Sequence, residues 1–452
     1  MVGKKDQRLT LGLSKLTILS RLSFLHHSLI EFNPILHAHA EIGETIKPSK
    51  PRHANTLLLN NPFLHLKPEI KELVIINDKK LTKLGKEILE AAGTTPKEAT
   101  WVSNCLVLSN LKGVDSHGVQ QIPGYVESIQ KGSLKPGARP TLIAKRSATA
   151  FYDGNWGYGY SIAHDVMKQT IKKAKKSGVA YSGIRNIHHI GRVGKWAEMA
   201  LEENMIGIAS QPGGIYIAPW GGIDKKLPIA PIAFAAPAGR YSPIVVDMSL
   251  GPIAGGRTAI LALRGVKVPM GWYIDDEGKP HDDPKIFNSG KGAQLPLGQT
   301  GLGYKGMALS LMINILAGPL FGHIISQRRG TSSMDLAPTD DFRRNGVFLG
   351  VIDIEAFTSL DTFNAGMEAL IDDIKSSRLA EGFTEILMPG EPEWRELEKR
   401  RREGIYLDDE IYQKILDTAK ELAVSTTKYR GKPGKMNITH PSYTLKDRYV
   451  SV

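Results

Sequence analysis

With 452 residues, 41% of them hydrophobic, the chain is long enough for two or three domains and too apolar for a disordered protein. Its single cysteine, Cys105, excludes a disulfide framework and a paired-cysteine metal site, and makes a cytoplasmic setting the default. The formal charge of +12 is diffuse and partly terminal, with no basic run interleaved with aromatics, so a nucleic-acid partner is not expected; a basic field around an anionic small molecule accounts for it equally well.

Residues 1–77 read as an extension to the fold, with scattered histidines and prolines and weak hydrophobic periodicity. Their basic, Ser- and Leu-containing start fits an organellar transit peptide, which would mean import, and fits equally a mis-assigned start. Order is expected from near Ile75. Leu81, Leu84, Ile88 and Leu89 share one face of a helix that Gly93 closes, and Thr95-Pro96-Lys97-Glu98 reads as a capping box with proline at the first helical position. A second helix runs to about Lys112 and delivers the chain into Asp115-Ser116-His117-Gly118-Val119, a turn that projects Ser116 and His117. An ordinary turn and a functional one are about equally good readings of it.

From Ala148 the pattern changes to strands and glycine turns. Gly154, Gly157 and Gly159 precede a helix, but the spacing is GxxGxG, and the basic run Ile171–Gly178 lies where a Rossmann dinucleotide site needs an acidic residue. These glycines are expected to serve a tight turn and close helix packing. A strand within Ser177–Ile187 then leads into HHIGRVGKWAE, His188 to Glu198, placing two imidazoles at a strand-to-helix junction. Leu227–Pro237 reads as one strand. A further strand ends at Asp247-Met248-Ser249 and runs into a glycine-rich helix start around Gly251 and Gly255, the better anion-binding candidate; a capped helix without a ligand is the plain alternative.

Lys305 and Gly306 open another helix, whose apolar stretch Met307–Leu320 reads as buried and falls short of the roughly 20 residues a bilayer span requires. No membrane partner is expected. After it come a strand at Val347–Ile354, helices, the turn Met388–Trp394 with Gly390, Glu391 and Pro392, and a charged helix, Arg395–Glu403, read as a solvated face. Residues 425–452 read as a basic tail.

Seven short motifs stand in this order: DSHGV (Asp115–Val119), HHIGRVGKWAE, PWGG (Pro219–Gly222), AFAAP (Ala233–Pro237), VVDMS (Val245–Ser249), GYKG (Gly303–Gly306) and PGEPE (Pro389–Glu393). The series resembles the malate/L-lactate dehydrogenase-type oxidoreductases, a family that includes sulfolactate, ureidoglycolate and hydroxycarboxylate dehydrogenases and is distinct from the Rossmann lactate and malate dehydrogenases. It covers roughly Ile75 to Val424, and the double histidine is nearest the hydroxycarboxylate branch. The resemblance implies an α/β, non-Rossmann nicotinamide-binding fold: a mixed-sheet cofactor-binding domain over residues 146–319, and a helical dimerisation domain from 78–145 plus 320–424, in a homodimer. It implies hydride transfer between NAD or NADP and C2 of a small 2-hydroxy or 2-oxo acid, with no metal. His189 matches the family's proton acceptor, and His117 the histidine lying against substrate and nicotinamide. Tyr125 matches a substrate-side tyrosine; Asp247, Met248, Ser249, Lys305, Gly306, Gly390, Glu391 and Pro392 match cofactor-contacting positions. Ser116 and Gln121, flanking His117, go with the substrate.

Two departures stand out. Gln121 occupies a position where many relatives carry an arginine able to clamp a carboxylate, a charge-assisted contact contributing about 1.5–3 kcal/mol. Ile229-Ala230 replaces a frequent Thr-Asn. They imply a different substrate or a carboxylate held elsewhere, with Arg192 and Lys195 as candidate replacements. Three other readings stay open. One is a reductase of a cyclic imine 2-carboxylate, a reaction the family hosts; another is a cofactor-binding paralogue without turnover. The weakest is a metal-dependent hydrolase built on His117, His188 and His189, because adjacent histidines rarely ligate one ion and no HExxH spacing is present.

Overall fold

The computed structural model describes residues 69–322 and 346–438. The expected extension lies outside the described residues up to position 68, but its last part is strand β1 (Glu69–Ile76), with Leu73 and Ile76 buried. Helices α1 (Asp78–Ala91) and α2 (Pro96–Leu111) follow. Asn77 caps α1 by accepting from the Lys79 N–H at 3.0 Å, and Thr95 caps α2 by accepting from the Glu98 N–H at 3.4 Å. The capping box is only half made, because the Glu98 carboxylate turns away to the Gly137 N–H at 2.6 Å. Two single-turn 3-10 helices, Asp115–His117 and Val119–Gln121, lead into α3 (Ile122–Gln130).

The central portion runs β2 (Thr141–Lys145), β3 (Thr149–Asp153), α4 (Gly159–Ser177), β4 (Val179–Arg185), α5 (Gly194–Glu198), β5 (Ile206–Ser210), β6 (Ile215–Ile217), β7 (Leu227–Pro228), β8 (Ile232–Ala236) and β9 (Ile244–Met248). It continues through α6 (Gly255–Leu263), β10 (Tyr273–Asp275), β11 (Pro280–His281), α7 (Lys285–Asn288), β12 (Gly292–Gln294) and α8 (Gln299–Ala317). The last described part holds β13 (Val347–Ile352), α9 (Leu360–Lys375), α10 (Glu391–Glu403), β14 (Ile405–Asp408), α11 (Asp409–Glu421) and β15 (Lys432–Ile438).

The main sheet has seven strands in the order β2-β3-β4-β13-β5-β8-β9, and only the β3/β4 pair, joined through α4, is parallel. A Rossmann sheet is a succession of parallel crossovers, so this is a different α/β architecture. A five-stranded sheet, β11-β10-β12-β6-β7, and a three-stranded one, β14-β1-β15, complete it. Helices α1, α2 and α4 bury Leu84, Ile88, Leu106, Ile162 and Val166 in one continuous core with Ala209 and Leu349 of the main sheet.

Several expectations change. Strand β13, expected as a strand but assigned to the helical domain, sits in the middle of the main sheet between β4 and β5. Lys432–Ile438, read as tail, pairs along the whole of β1. Leu227–Pro237 is broken into β7 and β8, because Ala230, ahead of Pro231, takes a left-handed φ of 42° that no strand can contain. The apolar helix begins at Gln299 rather than Met307, so Gln299–Phe321, at 23 residues, is long and apolar enough by length and composition to cross a bilayer. It is also not fully buried: Ser310, Ile313 and Asn314 pack inward while Leu309, Met312 and Ile315 face outward. Finally, the charged helix α10 is not all solvated, for Arg400 is 2% exposed.

Candidate active site

A cleft of about 490 Å³ opens where the loop after β4, the turn Asp115–His117, the end of β9, the start of α6 and the turn Met388–Gly390 converge. The double-histidine loop is shaped by glycine. Gly159, the first residue of α4, lies so close to the His188 and His189 carbonyls that a Cβ there would collide with both. Gly191 has φ +68° and presses on the Tyr160 hydroxyl, leaving no room for a side chain. The GxxGxG segment is therefore a packing device, as expected, and its packing partner is the histidine loop.

The two histidines of the loop face different ways. His189 lines the cleft, whereas His188, 1% exposed, turns inward against Tyr125 at a ring separation of 5.8 Å. His117 lines the cleft from the other side and stacks on His189, with centroids 5.7 Å apart and planes at 22°. Its Nδ1 is 3.0 Å from the Ser116 hydroxyl. Burial pushes His117 down to about 4, with the Arg192 charge adding to the effect. The cleft reaches the ring, yet protein packs around it on every other side. Burial also holds His189 well below the usual histidine range, helped by His117 and His188.

The His117 turn is anchored from behind. Asp115 Oδ1 accepts from Asn110 Nδ2 at 2.6 Å and from Arg400 Nη1 at 2.7 Å, and Arg400 Nη1 also donates to the Asn110 carbonyl at 2.7 Å. Asn110 Oδ1 accepts from the Val119 N–H at 2.9 Å, and Gly118 sits so tightly on the Asn110 amide that any side chain would displace it. Asp115 thus holds the turn while Ser116 and His117 face the cleft. Gln121 lines the cleft and donates to the Ser116 carbonyl at 2.7 Å.

Arg192 also lines the cleft, but its guanidinium is already engaged. Nη2 donates to Glu198 at 2.7 Å and Nη1 to Asp247 at 3.4 Å, while Lys112 Nζ donates to Glu198 at 2.7 Å. Burial opposes the Arg192 and Glu198 charges, and the pairing overcomes it, holding the guanidinium above and the carboxyl below their ordinary values. Asp247 goes the other way: burial raises it, because Arg192 serves Glu198 at close range and reaches Asp247 only through the longer contact. Lys112, 3.7 Å above the Trp394 ring, is brought down to about 8 by burial, with Arg192 contributing. Lys195, the other candidate carboxylate cation, packs over Trp101 at 4.9 Å and does not line the cleft.

Tyr125 does not line the cleft. Fully buried, it stands behind His189, its hydroxyl 2.7 Å from Nδ1. Of the expected cofactor residues, Asp247, Met248, Ser249, Gly390 and Pro392 line the cleft, together with Gly213, Gly214 and the first turn of α6. Glu391 instead locks its turn, accepting from the Met388 N–H at 3.0 Å and Lys375 Nζ at 2.9 Å. Lys305 and Gly306 are away from the cleft: Lys305 is exposed on α8, and Gly306 packs on the Leu297 backbone. Lys112, Glu198, Arg257, Tyr216, Glu393 and Trp394 line the cleft without having been singled out. Glu198 and Glu393 sit inside the quoted motifs; Lys112, at the end of an apolar helix, gave no signal of its own. Among the described residues no group of three or more His, Cys, Asp or Glu side chains is placed to hold a metal ion.

The architecture is that of malate and sulfolactate dehydrogenases of the non-Rossmann type. The sulfolactate dehydrogenase structure from Methanocaldococcus jannaschii superposes with a TM-score of 0.70 at 31% identity, over 78% of this chain and 99% of that one. The structure of delta1-piperideine-2-carboxylate reductase from Pseudomonas syringae gives 0.63 at 26% identity, over 76% and 99%. In sequence, the chain is 35% identical over 341 residues to malate dehydrogenase from Pyrococcus abyssi, covering 74% of this chain and 90% of the relative. It is 33% identical over 350 residues to L-sulfolactate dehydrogenase from Methanothermobacter thermautotrophicus, covering 77% and 98%. The malate/L-lactate dehydrogenase family profile matches residues 76–416, and the chain belongs to that family.

Proposed function

We propose that the protein is an NAD(P)-dependent oxidoreductase that interconverts a 2-hydroxy and a 2-oxo carboxylic acid. The observation that carries this reading is the pair of stacked imidazoles, His117 and His189, both lining one cleft and both held neutral by burial. A neutral histidine can take the hydroxyl proton of an alcohol and, once charged, return it to a carbonyl oxygen. With Nδ1 of His189 turned to Tyr125, Nε2 is the nitrogen left for that exchange. His117, across the cleft, is placed to orient the substrate.

The cleft suits a dinucleotide. Helix α6 begins without a side-chain cap, so its first N–H groups are available to a phosphate, and the Gly213-Gly214 and Gly390 turns let a ligand approach the backbone closely. Ser249, Gly390 and Pro392 would hold it there. The nicotinamide, when bound, accepts a hydride from C2 of the hydroxy acid or gives one to C2 of the oxo acid. Arg192, fixed by Glu198 and Asp247, supplies a positive field for a carboxylate substrate rather than a free clamp. Two copies pairing through the outward apolar face of α8 would give the homodimer that the family resemblance implies.

Reduction of a cyclic imine 2-carboxylate is the second reading, supported by the likeness to the P. syringae reductase. A spectrophotometric screen crossing NADH and NADPH with 2-oxo acids and a cyclic imine 2-carboxylate decides between them. Consumption of either cofactor by a 2-oxo acid is expected. Folded protein that turns over nothing in the panel would reject the dehydrogenase reading.

A further inference from the structure

Tyr125 and Tyr160 are both fully buried, with rings 6.3 Å apart and nearly perpendicular. The Tyr125 hydroxyl lies 2.7 Å from His189 Nδ1, and the Tyr160 hydroxyl lies within interaction range of the Tyr125 hydroxyl, its contact there short of good hydrogen-bond geometry. The third tyrosine of the cluster, Tyr158, is occupied with Thr94 Oγ1 at 2.9 Å. Two buried O–H donors therefore stand in line behind one strong acceptor, the His189 ring, and a buried donor left unmade costs more than an acceptor left unused.

Only one arrangement satisfies both. If Tyr125 donates to Nδ1, its oxygen is free to receive the Tyr160 O–H, and every donor points at a lone pair. If Nδ1–H donates to Tyr125 instead, the Tyr125 proton must turn to Tyr160, and the Tyr160 proton then has nowhere to go. Gly191, pressed against the Tyr160 hydroxyl, leaves that group no space to swing elsewhere.

We infer that Tyr125 is a positioning residue, not a substrate contact, and that it holds resting His189 as the tautomer with hydrogen on Nε2. In that form the ring offers the cleft a hydrogen-bond donor, suited to the C2 oxygen of an oxo acid, and oxidation of a hydroxy acid requires the tautomer to change first. The Tyr160 hydroxyl sets the bias, because the reversed arrangement leaves its proton without an acceptor. This deepens the dehydrogenase reading and rests on it for its meaning, though not for its test.

The test is two-bond proton–nitrogen NMR on protein labelled with 15N-histidine, at pH 7.5, with the His189 signals assigned by their loss in His189→Gln. An acceptor-type Nδ1 and a protonated Nε2 are expected. Tyr125→Phe should convert the ring to a tautomer mixture, and Tyr160→Phe, which removes the group that sets the bias, should shift it part of the way to that mixture. In turnover assays Tyr125→Phe should raise KM for the oxo acid about tenfold and leave KM for the cofactor unchanged. A protonated Nδ1 in the native protein overturns the inference, as does an unchanged tautomer in Tyr125→Phe or in Tyr160→Phe. Absence of turnover alongside the expected NMR pattern would remove the dehydrogenase reading and keep the tautomer.

Discussion

His189 and Ala230 show what single side chains decide here. His189→Ala should lower kcat by about 10²–10⁴ while cofactor affinity, measured by fluorescence titration, stays within a few fold. Retained turnover would remove its proton-transfer role. The two cleft imidazoles also tie stability to pH. His117 is depressed to about 4 from 6.5, so between those values the unfolded chain binds more protons than the folded one. Stability should therefore fall as pH drops from 6.5 towards 4, by up to about 1.4 kcal/mol per pH unit for each such imidazole. Urea midpoints at pH 7.5 and 5 measure the slope, and His117→Asn should flatten it. Ala230 carries its left-handed φ of 42° without the freedom of glycine; Ala230→Gly should gain about 0.5–1 kcal/mol by the same assay. At this scale the sequence was legible where a residue's neighbours are close along the chain. His117, His189, Asp247 and Gly390 could be picked from local motifs. The burial of Tyr125 behind His189 could not, because it depends on how α3 packs on a loop 64 positions away.

Helix α10 illustrates what is hidden at the level of elements. A run such as Glu396-Leu397-Glu398-Lys399-Arg400 reads as solvated by composition, and periodicity cannot tell which charge faces inward. Its N-terminal turn lines the cleft through Gly390 and Pro392, and Arg400, further along, bonds Asp115 behind His117. Arg400 is also bonded at 2.5 Å to Glu396. Replacing it with Met should cost about 3–5 kcal/mol, since Asp115 and Glu396 would each lose a buried partner. It should lower kcat as well, because the His117 turn is released; a thermal melt and a turnover assay on one preparation check both. A normal kcat in a destabilised Arg400→Met protein would confine its role to folding. The helices α1 and α2 were readable from spacing and caps alone. The break between β7 and β8 was not, because it comes from one residue's φ.

At the scale of the whole molecule, motif order pointed to the right family, while strand order was out of reach. Nothing local in Val347–Ile352 says that it inserts between β4 and β5 rather than extending an edge. The outward apolar face of α8 exposes Leu309, Met312 and Ile315, the last at 58%. Sedimentation should give twice the chain mass of 49.5 kDa, and Ile315→Glu with Met312→Glu should return it to the monomer. A wild-type monomer at micromolar concentration would dismiss the pairing.

The place of β13 has a consequence for the order in which the protein comes into being. Strands β4 and β5 are synthesised long before the strand that joins them, and until Val347–Ile352 arrives each has a bare edge facing the other. The histidine loop springs from the end of β4, so the reaction centre has no finished support until late in translation. A nascent chain at that stage holds a split sheet, the kind of intermediate that chaperones protect, and a product truncated ahead of residue 347 should precipitate rather than work at reduced rate.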